Sequence, residues 1–224
     1  MIGKDQQHQL FERLSRREAL APGAAPPARF IAGDRALQPG GEKFAGQSGF
    51  RKASVLIPII DRREEPTILL TKRTPHLADH AGQISFPGGS REASDRDAVA
   101  TALRETEEEV GIEARFIDII GRLGSYHTST GFRIAPIVGV LSPELELNID
   151  SHEVAEVFEV PLRFILDPSN YRMESRIWRG EERFFYAVPF EDHYIWGATA
   201  AMLVNLYHAL LIHGGIPEPV QGEQ

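Results

Sequence analysis

Arg104-Glu105-Thr106-Glu107-Glu108-Glu109-Val110-Gly111-Ile112 sets four glutamates into five consecutive positions, opened by an arginine and closed by a glycine. No lysine lies within the run, so only Arg104 offsets it. On a helical wheel of about 100° per residue, Glu105, Glu108 and Glu109 share one face. Their i, i+3 and i+4 spacing makes the side chains neighbours. Val99, Leu103, Thr106 and Val110 fall on a different face, suited to packing on a sheet. Ala98, Thr101 and Ala102 extend the acidic face toward the helix start, and their small size leaves room for a backbone or ligand. The pattern predicts a helix over Asp97–Val110, stopped by Gly111 as its C-cap. Like charges at i, i+4 cost roughly 0.2–0.5 kcal/mol per pair. Acids near a helix C-terminus also oppose the macrodipole. A divalent ion with a taste for hard oxygen ligands reverses both penalties. The run alone reads either as a solvated acidic face or as a metal-holding one.

Working outward, Phe86-Pro87-Gly88-Gly89 reads as a sharp turn feeding the acidic helix. Its glycines would let a backbone amide or carbonyl reach a ligand, and the carbonyl would add an oxygen to the same ion. Ala53–Ile60 is an apolar run expected to form a buried strand. Asp61–Pro66 is a turn and Thr67–Lys72 a second strand, together a hairpin. His76–Ser85 is loop or short strand. Further strands are expected at Arg115–Arg122, Arg133–Leu141, Glu156–Val160 and Arg183–Pro189, and an amphipathic helix at Ala198–His213. The fold class is therefore α/β in the broad sense (α+β), a mixed sheet sandwiched between helices. An amphipathic helix is expected over Asp5–Leu20, then an Ala-, Pro- and Gly-rich connecting arm over Ala21–Gly49. The division is an N-terminal helix and arm (1–49), a compact domain (50–215) and a tail (216–224). No internal repeat is present.

Composition removes several chemistries. The chain has no cysteine, so disulfides, zinc thiolate sites and cysteine nucleophiles are excluded. The N-terminus is polar, without a secretory h-region, and no apolar run is long enough to span a bilayer. A cytoplasmic protein is expected. A formal net charge of -8 argues against nucleic acid and anionic membranes as partners. It also means that a phosphate substrate would need cations at the site, from metal or from local Arg and Lys.

Gly89, Asp95 and Arg104-Glu105-Thr106-x-Glu108-Glu109-x-Gly111-Ile112 together resemble the Nudix box, the mark of hydrolases of nucleoside diphosphates linked to another group. The upstream acid is Asp rather than Glu and lies one residue further from the arginine, which resembles the coenzyme A pyrophosphatase branch. Leu69-Leu70-Thr71-Lys72-Arg73-Thr74, followed by Gly82 and Phe86-Pro87-Gly88-Gly89, resembles that branch's own signature. Thr74 stands where the signature prefers Ser or Ala, and Ala78 where it carries a second arginine. Tyr126-His127-Thr128, Gly131-Phe132-Arg133 and Tyr194 to Ala200 also look like that branch. The resemblance covers roughly Ser54–Leu210.

The resemblance implies Mg²⁺ or Mn²⁺ as cofactor, with Glu105 and Glu109 as principal ligands, Glu108 as a third and Gly89 adding a backbone oxygen. Arg104 would orient the carboxylates, and Glu107 would be solvated. A box glutamate such as Glu108, or the loop residue Glu153, would accept the proton of the attacking water. Arg73 would contact phosphate, with Phe86 and Gly88 on the substrate side. His76, His80 and His127 are weaker candidates for a 3′-phosphate, and Phe132 with Arg133 for the adenine end. Tyr194 and Trp196 would anchor the last helix. The implied reaction splits coenzyme A or a derivative into 3′,5′-adenosine bisphosphate and 4′-phosphopantetheine. Other readings are hydrolysis of ADP-ribose, NADH or a dinucleoside polyphosphate, and a module that binds nucleotide without hydrolysis. The N-terminal arm would be free to form a homodimer contact.

Overall fold

The computed structural model describes residues 31–39, 49–76, 80–178 and 180–210. The helix expected over Asp5–Leu20, position Ala78 and the tail lie outside these residues. Strands β1 (Arg51–Ile60), β2 (Thr67–Arg73), β3 (Ile84–Ser85) and β4 (Gly88–Ser90) precede helix α1 (Ala98–Val110). Strands β5 (Ile117–Arg122), β6 (Tyr126–His127), β7 (Phe132–Leu141) and β8 (Val154–Pro161) complete the larger, eight-stranded sheet. A short helix α2 (Leu162–Ile165) leads to a three-stranded sheet of β9 (Arg172–Trp178), β10 (Glu181–Phe190) and β11 (His193–Trp196), and then to helix α3 (Gly197–Leu210).

The large sheet is mixed. β1 runs parallel to β7 over its whole length, and antiparallel to β2 and β4. Period-two alternation sorts the strand residues between two cores. Val55, Ile57 and Ile59 of β1, with Ile68 and Leu70 of β2, face the core that contains α3. Leu56, Ile60 and Leu69 face the other, with Ala102 and Val110 of α1 and partly buried Val99 and Leu103. Helices thus cover both faces, as the expected mixed strands and two long helices implied.

Two segments differ from expectation. Helix α3 is buried nearly all round, from Thr199 to Leu210, rather than along one stripe. Part of its cover is Ile31, whose backbone N–H donates to Asn205 Oδ1 at 2.9 Å while Asn205 Nδ2 donates to the Ile31 carbonyl at 3.0 Å. Residues assigned by sequence to the connecting arm therefore belong to the core. Phe86–Gly89 is not a sharp turn, because Gly88–Ser90 runs extended along β1. The glycines serve close approach instead of reversal. A Cβ on Gly88 would sit 2.4 Å from the Ser54 carbonyl oxygen, and one on Gly89 would sit 2.4 Å from Glu105 Oε2. Among the described residues no helix is long and apolar enough to cross a membrane.

Candidate active site

The acidic helix is set by its ends. Asp97 caps the N-terminus by accepting from Ala100 N–H at 2.8 Å. Gly111 takes the left-handed conformation at the C-terminus, φ 75°, and its N–H donates to the Glu107 carbonyl. With those ends fixed, the glutamates separate. The Glu109 side chain is 4% exposed and that of Glu105 16%, whereas that of Glu108 is 59% exposed. Glu105 and Glu109 line a cavity of about 640 Å³, and Glu108 does not. The i, i+3, i+4 neighbours do share a face, since Arg104 Nη1 lies 3.0 Å from Glu105 Oε1 and 2.9 Å from Glu108 Oε2, but Glu108 stands at its solvent edge. Glu107 is exposed, as expected.

Arg104 is a clamp. Its Nε and Nη2 grip Asp95 Oδ1 and Oδ2 at 3.1 and 3.0 Å, and Nη2 also donates to the Ser90 carbonyl at 3.1 Å. Its Nη1 lies 3.0 Å from Glu105 Oε1. This bidentate geometry is the strong form of the carboxylate pair. The Arg104 guanidinium, aided by the Glu92 N–H, holds Asp95 well below the usual carboxylate range. Arg104 does not line the cavity, so it acts through Glu105 rather than on a ligand.

Burial pushes the Glu109 carboxyl up to about 8. The Gly88 N–H at 3.2 Å and Arg73 Nη1 at 3.5 Å oppose that shift, and Glu105 and Glu153 add to it. Burial raises Glu105 as well, against the pull of Arg104. Both acids are thus held where water solvates them poorly and a neighbouring carboxylate repels them.

Glu153 reaches this cavity through the helix C-terminus. Asn148 and Asp150 N–H donate to the Val110 and Glu109 carbonyls, at 3.0 Å each, satisfying last-turn acceptors and tying the loop to α1. Thr74 then fixes the loop from the other side. Its N–H donates to the Glu153 carbonyl and its hydroxyl to the His152 carbonyl, both at 2.9 Å. Thr74, which departs from the signature's Ser or Ala, thus has a structural use through its hydroxyl. Glu153 is exposed and lines the cavity.

Arg73, Phe86, Gly88, Gly89 and Phe132 also line it. Phe132 is partly buried, with the Arg51 guanidinium 4.0 Å from its ring centroid. Arg133 does not line it. Along β7 side chains alternate, so Phe132 and Ile134 face the cavity while Arg133 is exposed on the other side. Of the histidines, His80 lines the cavity and bonds Gln83 at 2.8 Å, His76 is exposed, and His127 lies 3.0 Å from the Ala32 carbonyl oxygen through Nδ1. Tyr194 and Trp196 do not serve as helix anchors. Tyr194 is exposed with its hydroxyl on Glu174, and Trp196 forms cavity wall.

Two contributors to the cavity lie outside the motifs legible in the sequence. One is the segment around Asp34 and Gln38, where Asp34 accepts from Tyr126 Oη and Ser129 N–H, each at 2.6 Å. The other is the β9–β10 hairpin, which brings Arg176, Trp178, Arg183 and Phe185 to the cavity. The period-two polarity of Arg172 to Trp178 was the available signal for β9.

The donor set fits a hard divalent cation. It offers carboxylate oxygens that burial keeps from ionising easily, next to a glycine with no side chain to crowd them. Among the described residues no three acidic or imidazole groups are gathered into a ready-made cation cage. Glu105 and Glu109 would hold such an ion, with Glu153 near and substrate phosphate oxygens sharing the shell.

A NUDIX domain profile matches residues 50–183. Proteins described as uncharacterized Nudix hydrolase NudL are similar to this chain. The one from Photorhabdus laumondii is 43% identical over 156 residues, covering 70% of this chain and 83% of that protein. The one from Enterobacter sp. is 40% identical over 156 residues, 70% of this chain and 81% of its own. A solved structure of a Nudix hydrolase from M. smegmatis, RenU, aligns with a TM-score of 0.48 at 16% identity, over 80% of this chain and 95% of that one. With the profile spanning more than half its residues, the chain belongs to the Nudix domain family.

Proposed function

We propose that the protein hydrolyses the diphosphate linkage of coenzyme A or a derivative, with Mg²⁺ or Mn²⁺, to 3′,5′-adenosine bisphosphate and 4′-phosphopantetheine. Nudix hydrolases act on pyrophosphate-containing substrates and generally use divalent metal ions. The finer reading is supported by one observation. Arg73, Phe86, Gly88 and Gly89, all from the coenzyme A-type signature, share a cavity with Glu105, Glu109 and Glu153.

The residues divide the work. A cation on Glu105 and Glu109 would supply neutralisation of phosphate oxygens and make water easier to deprotonate. Arg73 offsets the charge of the diphosphate and steers it to the acidic wall. Water oxygen bonds to one phosphorus, and the bridging P–O bond breaks with its electrons kept on the departing phosphate. The water proton goes to Glu153, whose loop is held by Thr74 and the helix end. Arg104 and Asp95 keep Glu105 in place and touch no substrate atom.

The test is a panel of coenzyme A, ADP-ribose and NADH incubated with the full chain and Mg²⁺ or Mn²⁺, with products identified by mass. Metal-dependent release of 3′,5′-adenosine bisphosphate is expected. Consumption of ADP-ribose or NADH with coenzyme A left intact would overturn the substrate assignment, and binding without turnover of any of them would overturn the enzymatic one.

A further inference from the structure

A second wall of the cavity is cationic and aromatic, and the proposed chemistry does not use it. In the β9–β10 pair, Arg176 stands directly opposite Arg183. Like charges in that position destabilise an antiparallel pair unless something neutralises them. Alternation puts Trp178 and Phe185 on the same face, and the pairing of Ala187 with Trp196 brings β11 into it. These five side chains line the cavity. They include both tryptophans of the chain.

Among the described residues, Arg176 meets aromatic rings and Arg183 is incompletely satisfied. The Arg176 guanidinium lies 4.5 Å from the Trp196 ring centroid and 5.9 Å from that of Phe185. Stacking of this kind leaves the planar N–H fork available at its edge. Arg183 pairs with Glu181, yet its buried Nε has no hydrogen-bond partner among the described residues. The hairpin is held in place by Gln38, whose Nε2 donates to the Phe184 carbonyl and whose Oε1 accepts from the Phe184 N–H, each at 3.0 Å. A fixed pair of forks beside aromatic rings, in a chain of net charge -8, calls for an anion attached to a ring. Guanidinium forks match phosphate geometry, and aromatic faces stack nucleobases of any sequence.

Resting on the assignment of the diphosphate to the acidic wall, we infer that Arg176 and Arg183 hold a second phosphate, a monoester on the ribose of the substrate nucleotide, with the base against the neighbouring tryptophan and phenylalanine rings. The enzyme would then discriminate nucleotides by a phosphate remote from the bond that breaks.

Tryptophan fluorescence reads this wall directly. The full chain is titrated without metal, using adenosine 3′,5′-bisphosphate and, separately, AMP. The wild type is expected to bind the bisphosphate about tenfold or more tighter, the scale of charge-assisted contacts. That ratio should fall toward one in Arg176→Gln, an exposed position, and in Arg183→Gln. Equal affinity for the two nucleotides in the wild type, or an unchanged ratio in Arg176→Gln, would overturn the inference. Hydrolysis separates it from the proposed function. A fluorescence preference that depends on Arg176, with no cleavage of coenzyme A, keeps the subsite and removes the function. Cleavage of coenzyme A and dephospho-coenzyme A at equal kcat/KM keeps the function and removes the subsite.

Discussion

Replacing Glu109 by Gln should stabilise the metal-free protein at pH 8 while removing its ability to be stabilised by metal. The reason is the carboxyl's position, 3% exposed overall and raised by burial to about 8 from an ordinary 4.5. Between those values the folded protein carries a proton on Glu109 that the unfolded chain has released. Stability therefore falls as pH rises through this window, by at most about 1.4 kcal/mol per pH unit, and levels off above it. Over the interval from 4.5 to about 8 the ceiling is about 5 kcal/mol. Glu109 faces a cavity rather than closed core, so the effect expected is a few kcal/mol. That corresponds to roughly 2–4 °C in Tm per kcal/mol for a chain of this size.

The glutamine is isosteric and neutral, and its amide oxygen can still accept from the Gly88 N–H. The assay is thermal unfolding of the metal-free full chain at pH 5, 6, 7 and 8, then again with excess Mn²⁺. Wild type should lose Tm across the series and regain it with the ion, because a ligand bound only by the folded state stabilises by mass action. Its apparent affinity for the ion should also rise with pH, since the bound form has lost a proton. The Gln variant should show a shallower pH slope and a much smaller response to Mn²⁺. Parallel pH slopes for the two proteins would refute the placement of a reluctantly ionised Glu109 at the site.

Four further substitutions separate positioning from folding. Gly88→Ala and Gly89→Ala should fail differently. The first drives a Cβ into the backbone at Ser54 and should lower Tm, while the second meets the carboxylate of Glu105 first, the end of a flexible side chain, and should keep Tm near wild type while turnover and metal affinity fall. Thr74→Val removes a part-buried hydrogen bond to the His152 carbonyl, at about 1 kcal/mol of stability, and should lower kcat with Mn²⁺ affinity nearly unchanged. Arg104→Lys removes the bidentate grip on Asp95. Asp95 stabilises the fold above the ordinary carboxylate range and loses that contribution only as pH falls through its depressed value. The variant should consequently unfold at a higher pH during acid titration followed by circular dichroism.

What could be read from sequence followed the range of the forces involved. Helix α1 was legible to within one residue because its stop signals are local: Asp97, expected as the first helical residue, caps one end and Gly111 the other. Strands β1, β2 and β7 were legible because buried strands need apolar runs. The site residues that belong to contiguous motifs, Glu105, Glu109, Gly88, Gly89 and Arg73, do share one cavity. Arg133 was misplaced, and Glu108 lies nearer solvent than its neighbours, for one reason: a wheel or a strand period gives relative directions, and only tertiary contacts decide which direction is inward. Glycine carries the same ambiguity. The Gly88-Gly89 pair suits a turn as well as a strand pressed against another backbone, and it was Ser54 and Glu105, more than ten residues away on either side, that selected the second.

The two walls of the cavity show the consequence most plainly. The acidic wall takes Glu105, Glu109 and its glycines from one helix and the strand before it, with Arg73 and Glu153 joining from β2 and the loop before β8, so a short motif encodes most of its chemistry. The cationic wall needs Gln38 to meet Phe184 and Arg176 to meet Arg183 and Trp196. None of those pairings leaves a contiguous signature. Reaction type is therefore written locally in this chain, whereas the part of the cavity suited to choosing a nucleotide is written in long-range contacts. Variation along β9 and β10 could alter substrate preference while every residue of the glutamate motif stayed the same.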